Sequence, residues 1–202
     1  RLKKVKEPKK VPPCFTPEQV QALLKQPDRS SFYGLRNYTM MCLLLDVGIR
    51  LGELLGLRVH NVVSPHLKVL GKGSKERIVA MSDVMVKRLN KYLRARKRLL
   101  KRAEMESDVL FVSRYGRELC GRAFHDILKQ YGEQAGIEGV RVSAHTFRYT
   151  YTSMALRSGM SLTSLQTCLG HTTLTMTRHY AVLNDADAFD EARVHSPLAS
   201  LD

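Results

Sequence analysis

The chain reads as a mainly α-helical domain with one small antiparallel β element, a hairpin or three-stranded sheet. Three observations predict this. Helix-start signals recur along most of the 202 residues. The pattern changes period once, in HLKVLGKGSKERIVAM, where a glycine-rich turn separates two short alternating runs. Hydrophobic residues make up 44% of the chain, enough for a sizeable core, so wholesale disorder is excluded.

The lead, RLKKVKEPKKVPP, holds six basic residues, one acid and three prolines, a composition that does not pack and that reads as a linker or arm. A helix opens at TPEQVQALL. There Thr16 can cap, Pro17 suits the first turn and Gln19 completes a capping box. Further helices are expected at about 35–47 and 51–57. Strands at 67–70 and 77–81 flank the Gly-Lys-Gly-Ser-Lys turn. Asp83 is the expected cap of a long helix to about residue 102. Its span 87–102 carries nine basic residues and no acid, which suits either a solvated face or a phosphate-facing stripe. DVLFVSR is a candidate short strand, and helices are expected at 120–135, 145–158, 162–168 and 173–181. Beyond Tyr180 the composition turns acidic, with Asp185, Asp187, Asp190 and Glu191. Such a segment should not grip a polyanion; it can lie on a neighbouring subunit or on the chain's own basic surface.

The formal charge is +14, and a domain this basic points to nucleic acid as partner. Cys14, Cys42, Cys120 and Cys168 are scattered, form no C-x-x-C pair and read as reduced, mostly buried thiols of an intracellular protein. The longest apolar run ends at Asp46, far short of a membrane span, and no signal-peptide pattern is present. A zinc site from Cys168, His171 and His179 lacks a fourth ligand at the usual spacing.

Metal-free cleavage of DNA by a tyrosine needs a defined kit. The phenol is a weak nucleophile, with an ordinary pKa of about 10. The phosphodiester is anionic and gathers more charge in the transition state, so paired arginines, whose forks match phosphate oxygens, are the natural clamp. One proton must leave the phenol and another must reach the departing sugar oxygen, tasks for histidine and lysine. The chain supplies each part. Arg50 lies in GIRLGELLGLR and Lys72 in GKGSKERIV. His145 and Arg148 stand three apart in HTFR, on one helix face, and His171 and Tyr180 lie in LGHTTLTMTRHY. Taken singly, each reads more readily as a surface or structural residue.

Together and in this order, GIRLGELLGL, GKGSKER, SAHTFRYT and LGHTTLTMTRHY resemble the catalytic domain of the tyrosine recombinases, the phage-integrase family that includes the bacterial Xer-type enzymes. The resemblance runs from about Thr16 to Tyr180. It implies the catalytic-domain fold of that family and site-specific cleavage and rejoining of double-stranded DNA through a 3′-phosphotyrosine, with no cofactor and no metal. It implies that Arg50 and Arg148 hold the scissile phosphate and that Glu53 orients the arginine. Lys72 would protonate the leaving 5′ oxygen, with Lys75 as an alternative. His145 would move the phenol's proton, His171 would bond the phosphate, and Tyr180 would be the nucleophile, with Tyr149 and Tyr151 as fallbacks. Residues 1–13 are then an interdomain linker after a missing N-terminal core-binding domain, 14–182 the catalytic domain, and 183–202 an acidic tail able to bridge protomers of a synaptic tetramer. The expected setting is the cytoplasm of a prokaryotic host, at the nucleoid and not at a membrane. Two rivals share parts of the pattern: a type IB topoisomerase, and a DNA-binding module that has lost catalysis.

Overall fold

The structure, a computed structural model, describes residues 13–71 and 76–170. The expected helix at 173–181, the acidic segment and nearly all of the basic lead lie outside these residues.

Helix α1 (Pro17–Lys25) opens on the expected capping box: Thr16 Oγ1 accepts from the Gln19 N–H, and the Gln19 side chain accepts from the Thr16 N–H. Helix α2 (Phe32–Val47) starts three residues before the expected boundary, because Ser31 caps it through the Gly34 N–H. Its buried residues run through nearly every position, so it is the central helix of the fold, with α4 and α6 packed against it. Helix α3 (Leu51–Leu55) is shorter than expected and follows within four residues of the end of α2.

The sheet is three-stranded and antiparallel: β1 (Val62–Val63), β2 (His66–Leu70) and β3 (Glu76–Ala80), in sequential order. β2 and β3 pair from His66 opposite Ala80 to Leu70 opposite Glu76. Leu67, Val69 and Val79 point into the core, while Lys68, Leu70 and Ile78 face out.

Helix α4 (Asp83–Arg102) is capped by Ser82 and not by Asp83: the Ser82 hydroxyl accepts from the Met85 N–H, and Asp83 sits in the first turn. Ser82 is the better placed of the two because its own N–H and hydroxyl both donate to Asp46 at the end of α2, at 3.0 and 2.5 Å. DVLFVSR is not a strand. Its residues 109–112 are buried, but they form only isolated bridges, Arg58 with Val109 and Val112 with Glu118, and no ladder. Side chains take up its carbonyls instead: Arg96 donates to Val109 O, Tyr92 to Leu110 O and Arg36 to Val112 O. Helices α5 (Gly121–Gln134), α6 (Ala144–Arg157) and α7 (Leu162–Leu169) lie within a residue of expectation.

None of the four cysteines is in a disulfide bond. Cys42 alone is buried, Cys14 and Cys168 are half-buried and Cys120 is exposed, so the expectation of mostly buried thiols is corrected. Cys120 is exposed because it stands at the N-cap of α5 and not on its inner face. No helix among the described residues is long and apolar enough to cross a membrane.

Candidate active site

The site begins where α2 ends. Gly48 closes the helix in the left-handed conformation, φ +60°. A Cβ there would stand 2.2 Å from the Tyr151 ring, so only glycine fits both the turn and the close approach. Ile49 then drops into the core with no exposure, and Arg50 emerges at the N-cap of α3 with 43% of its side chain exposed.

Arg148 reaches this turn from 100 residues away in sequence: its Nη1 donates to the Gly48 carbonyl at 2.5 Å. Its Nη2 donates to the Leu169 carbonyl at 2.9 Å, at the C-terminus of α7. Arg148 is buried on α6, whose first turn is set by Ser143 capping the Thr146 N–H and by the fully buried Phe147. One guanidinium therefore ties the Arg50 turn, α6 and the end of α7 together. His145, three residues earlier, is exposed, with its ring edge-on to Tyr149 at a centroid distance of 6.4 Å.

Glu53 is the hub. Its side chain is 6% exposed, and its carboxylate accepts from the Arg50 N–H at 2.8 Å and from Arg50 Nη1 at 3.0 Å. A second arginine, Arg77 on β3, closes a two-pronged bond on it: Nη1 to Oε1 and Nη2 to Oε2, both 2.8 Å. Burial pushes the Glu53 carboxyl up, but the hydrogen bonds from Arg77 and from the Arg50 N–H, with the Arg77 charge, outweigh it and leave the group at about 2. Two guanidinium groups thus share a single carboxylate, and a third, that of Arg148, is bonded to the turn just before Arg50, an excess of positive charge suited to an anion.

Of the expected site residues, the structure brings Arg50, Glu53 and Arg148 together and places His145 one helical turn from Arg148. Lys72 and Lys75 lie outside the described residues, between Gly71 and the first residue of β3. His171 and Tyr180 also lie outside them; His171 follows directly on Gly170, the C-cap of α7. The fallback Tyr151 is a poor nucleophile. Burial, then the hydrogen-bonded Cys168 thiol, raises its phenol to about 12, and its ring is packed over Gly48. Among the described residues no group of three or more His, Cys, Asp or Glu could hold a metal ion; His171 and His179 are not among them. Reasoning from sequence missed Arg77. Its signal was an arginine at an inward position of a strand whose other inward residue, Val79, is apolar.

A family model described as the phage integrase family matches residues 13–187. Tyrosine recombinase XerD of Staphylococcus aureus is 35% identical over 175 residues, covering 85% of this chain and 58% of the relative. XerD of Staphylococcus haemolyticus is 34% identical over the same length. The chain therefore spans less than two thirds of the length of these curated relatives. Among solved structures, the crystal structure of XerA recombinase superposes with a TM-score of 0.76 at 28% identity, over 94% of this chain and 67% of that one. XerH site-specific recombinase, bound to its difH substrate in a pre-cleavage complex, superposes at 0.74 over 92% of this chain and 55% of that one. At 22% identity it supports the fold alone.

Proposed function

Because the chain belongs to the phage integrase family of tyrosine recombinases, we propose that it is the catalytic part of a site-specific recombinase that cuts and rejoins double-stranded DNA. The observation that carries this reading is the convergence of Arg50 and Arg148, from distant stretches, on the Gly48–Arg50 turn, with Glu53 holding Arg50. The chemistry follows from these residues and from those the motifs supply. The Arg50 guanidinium, held on one side by Glu53 and exposed on the other, takes a non-bridging oxygen of the scissile phosphate. Arg148 shapes the same pocket and supplies the second positive charge. The phenol of Tyr180 gives up its proton with His145 as acceptor and attacks phosphorus, and the bond to the 5′ oxygen breaks. That oxygen leaves with a proton from Lys72, while His171 bonds the phosphate. One phosphodiester is exchanged for a phosphotyrosine, so its energy is kept and rejoining needs no nucleotide cofactor. The charge that accumulates on phosphate is met by fixed side chains, so the proposed reaction requires no divalent cation.

The relatives named tyrosine recombinase XerD support a double-stranded recombination site as partner. We assign the tetrameric synaptic assembly, a preceding core-binding domain joined through residues 1–13, and a protomer-bridging role for 183–202 to the same proposal, together with action at the nucleoid of a bacterial cell.

Covalent trapping tests it. The full-length protein is incubated in EDTA with nicked duplex whose site has been selected from a random library by wild-type binding, then run on a denaturing gel. A protein–DNA adduct is expected for wild type and none for Tyr180→Phe. An adduct that survives Tyr180→Phe would overturn the assignment of the nucleophile. Plasmid relaxation without strand exchange would overturn recombination in favour of a topoisomerase.

A further inference from the structure

Arg77 has no part in the kit that cleavage requires, yet it bonds both Glu53 and the end of α7. It lies on β3 directly after the segment that carries Lys72, and it points inward beside Val79, with only 14% of its side chain exposed. An inward charge on a small sheet is costly unless fully paired. Here it is paired on three sides. Nη1 and Nη2 grip the two oxygens of Glu53 at 2.8 Å, and Nε donates to the Cys168 carbonyl at 3.0 Å, at the C-terminal end of α7. A cation is favoured at that end of a helix. Gly170 makes room for it: a Cβ on Gly170 would stand 3.0 Å from Arg77 Cδ and 3.2 Å from Nε and Cζ.

We propose that Arg77 is a positioning residue for DNA cleavage, which fixes Glu53, and through it Arg50, against strand β3 and the end of α7. Lys72, Arg50 and His171 come from three separate motifs, and Arg77 touches the element next to each. Arg148 already joins α6 to the Arg50 turn and to α7; Arg77 adds the sheet. With Arg77 absent, Glu53 stays buried and loses its two-pronged partner. It then no longer serves as a fixed, charged acceptor for the Arg50 main chain and guanidinium at once. The proposal rests on the function argued above and adds to it a residue that never touches DNA.

The test uses full-length protein and the same selected, nicked duplex. Adduct formation is followed in single turnover, and affinity is measured on the intact duplex. Arg77→Gln is expected to slow adduct formation about 100-fold, the scale of a misplaced catalytic group, with affinity little changed. Arg77→Lys keeps a charge for Glu53 but not the fork, and should fall between Gln and wild type. In Arg77→Ala, added guanidinium should restore part of the rate where sodium chloride at equal ionic strength does not, a rescue that a general loss of stability would not show. The proposal is overturned if folded Arg77→Gln cleaves at the wild-type rate, or if rate and affinity fall together in all three variants with no guanidinium rescue. Should Arg77→Gln not fold, the Lys variant and the rescue decide. Absence of any adduct from wild type would instead overturn the functional reading itself, and this proposal with it.

Discussion

Glu53 shows how one side chain can be both structural and functional. Its carboxyl is held near 2, against an ordinary value of 4.5, so the folded state binds its proton less tightly than the unfolded chain does. The associated stability is present above about pH 4.5 and is lost as pH falls toward 2. The shift corresponds to on the order of 3 kcal/mol. Glu53→Gln should therefore destabilise the domain by roughly that amount at neutral pH, because Arg50 and Arg77 lose their shared counter-charge. The gap between wild type and variant should narrow as pH falls, which urea melts across the acid range would show; a gap constant with pH would refute the ionised hub. Glu53 came from the sequence only through the resemblance of GIRLGELLGL to the family motif, which implied a carboxylate orienting Arg50. Arg77 was not legible at all, because its partners lie 24 and 91 residues away and no local period announces them.

At the level of elements, what could be read locally was read well. Helices α1, α6 and α7 begin where a cap residue says they should, because capping is settled within four residues. The DVLFVSR segment was misread because pairing depends on a distant partner, and strand β1 escaped because two residues carry no alternating pattern. The two residues of β1 exist only against Leu67 and His66, and DVLFVSR gives its carbonyls to Arg36, Tyr92 and Arg96 instead of to a strand. The α2–α3 junction is the element on which the site depends most. Gly48→Ala would force a left-handed alanine, costing about 1–2 kcal/mol, and drive a methyl into the Tyr151 ring. With the overpacking added, a loss of about 2–4 kcal/mol is expected. The variant should also cleave poorly even where it is folded, because Arg148 donates to the Gly48 carbonyl that would shift. A thermal melt, with adduct formation measured well below the melting temperature, separates the two effects. Full activity there would show that the turn does not set Arg50.

Across the whole molecule, the same charge acts in opposite directions on folding and on binding. The chain carries +14, and α4 exposes Lys87, Lys91, Arg94, Lys97, Arg98, Lys101 and Arg102 with no acid after Asp83. The other basic residues of that helix are accounted for: Arg96 is buried on the Val109 and Ser107 carbonyls, and Arg88 lies over the Tyr38 ring. Like charges three and four apart on a helix repel by about 0.2–0.5 kcal/mol per pair. Salt at physiological strength, with a screening length of about 8 Å, weakens the repulsion of such neighbours in part and removes most of that between charges further along the helix. It weakens little in return. The exposed pairs of Arg58 with Asp108 and Glu118, and of Lys129 with Glu133, are each worth at most about 1 kcal/mol, and the Glu53 hub is shielded by burial. Raising salt should therefore raise the melting temperature while it lowers affinity for DNA, by about 10³–10⁵ over a fourfold increase if six to ten phosphates are contacted. A variant with Lys91, Arg94 and Arg98 all changed to Gln should melt higher at low salt and lose most of the salt-induced gain. A melting temperature that falls with salt in wild type would mean that surface ion pairs, and not repulsion along α4, dominate the electrostatics of the fold.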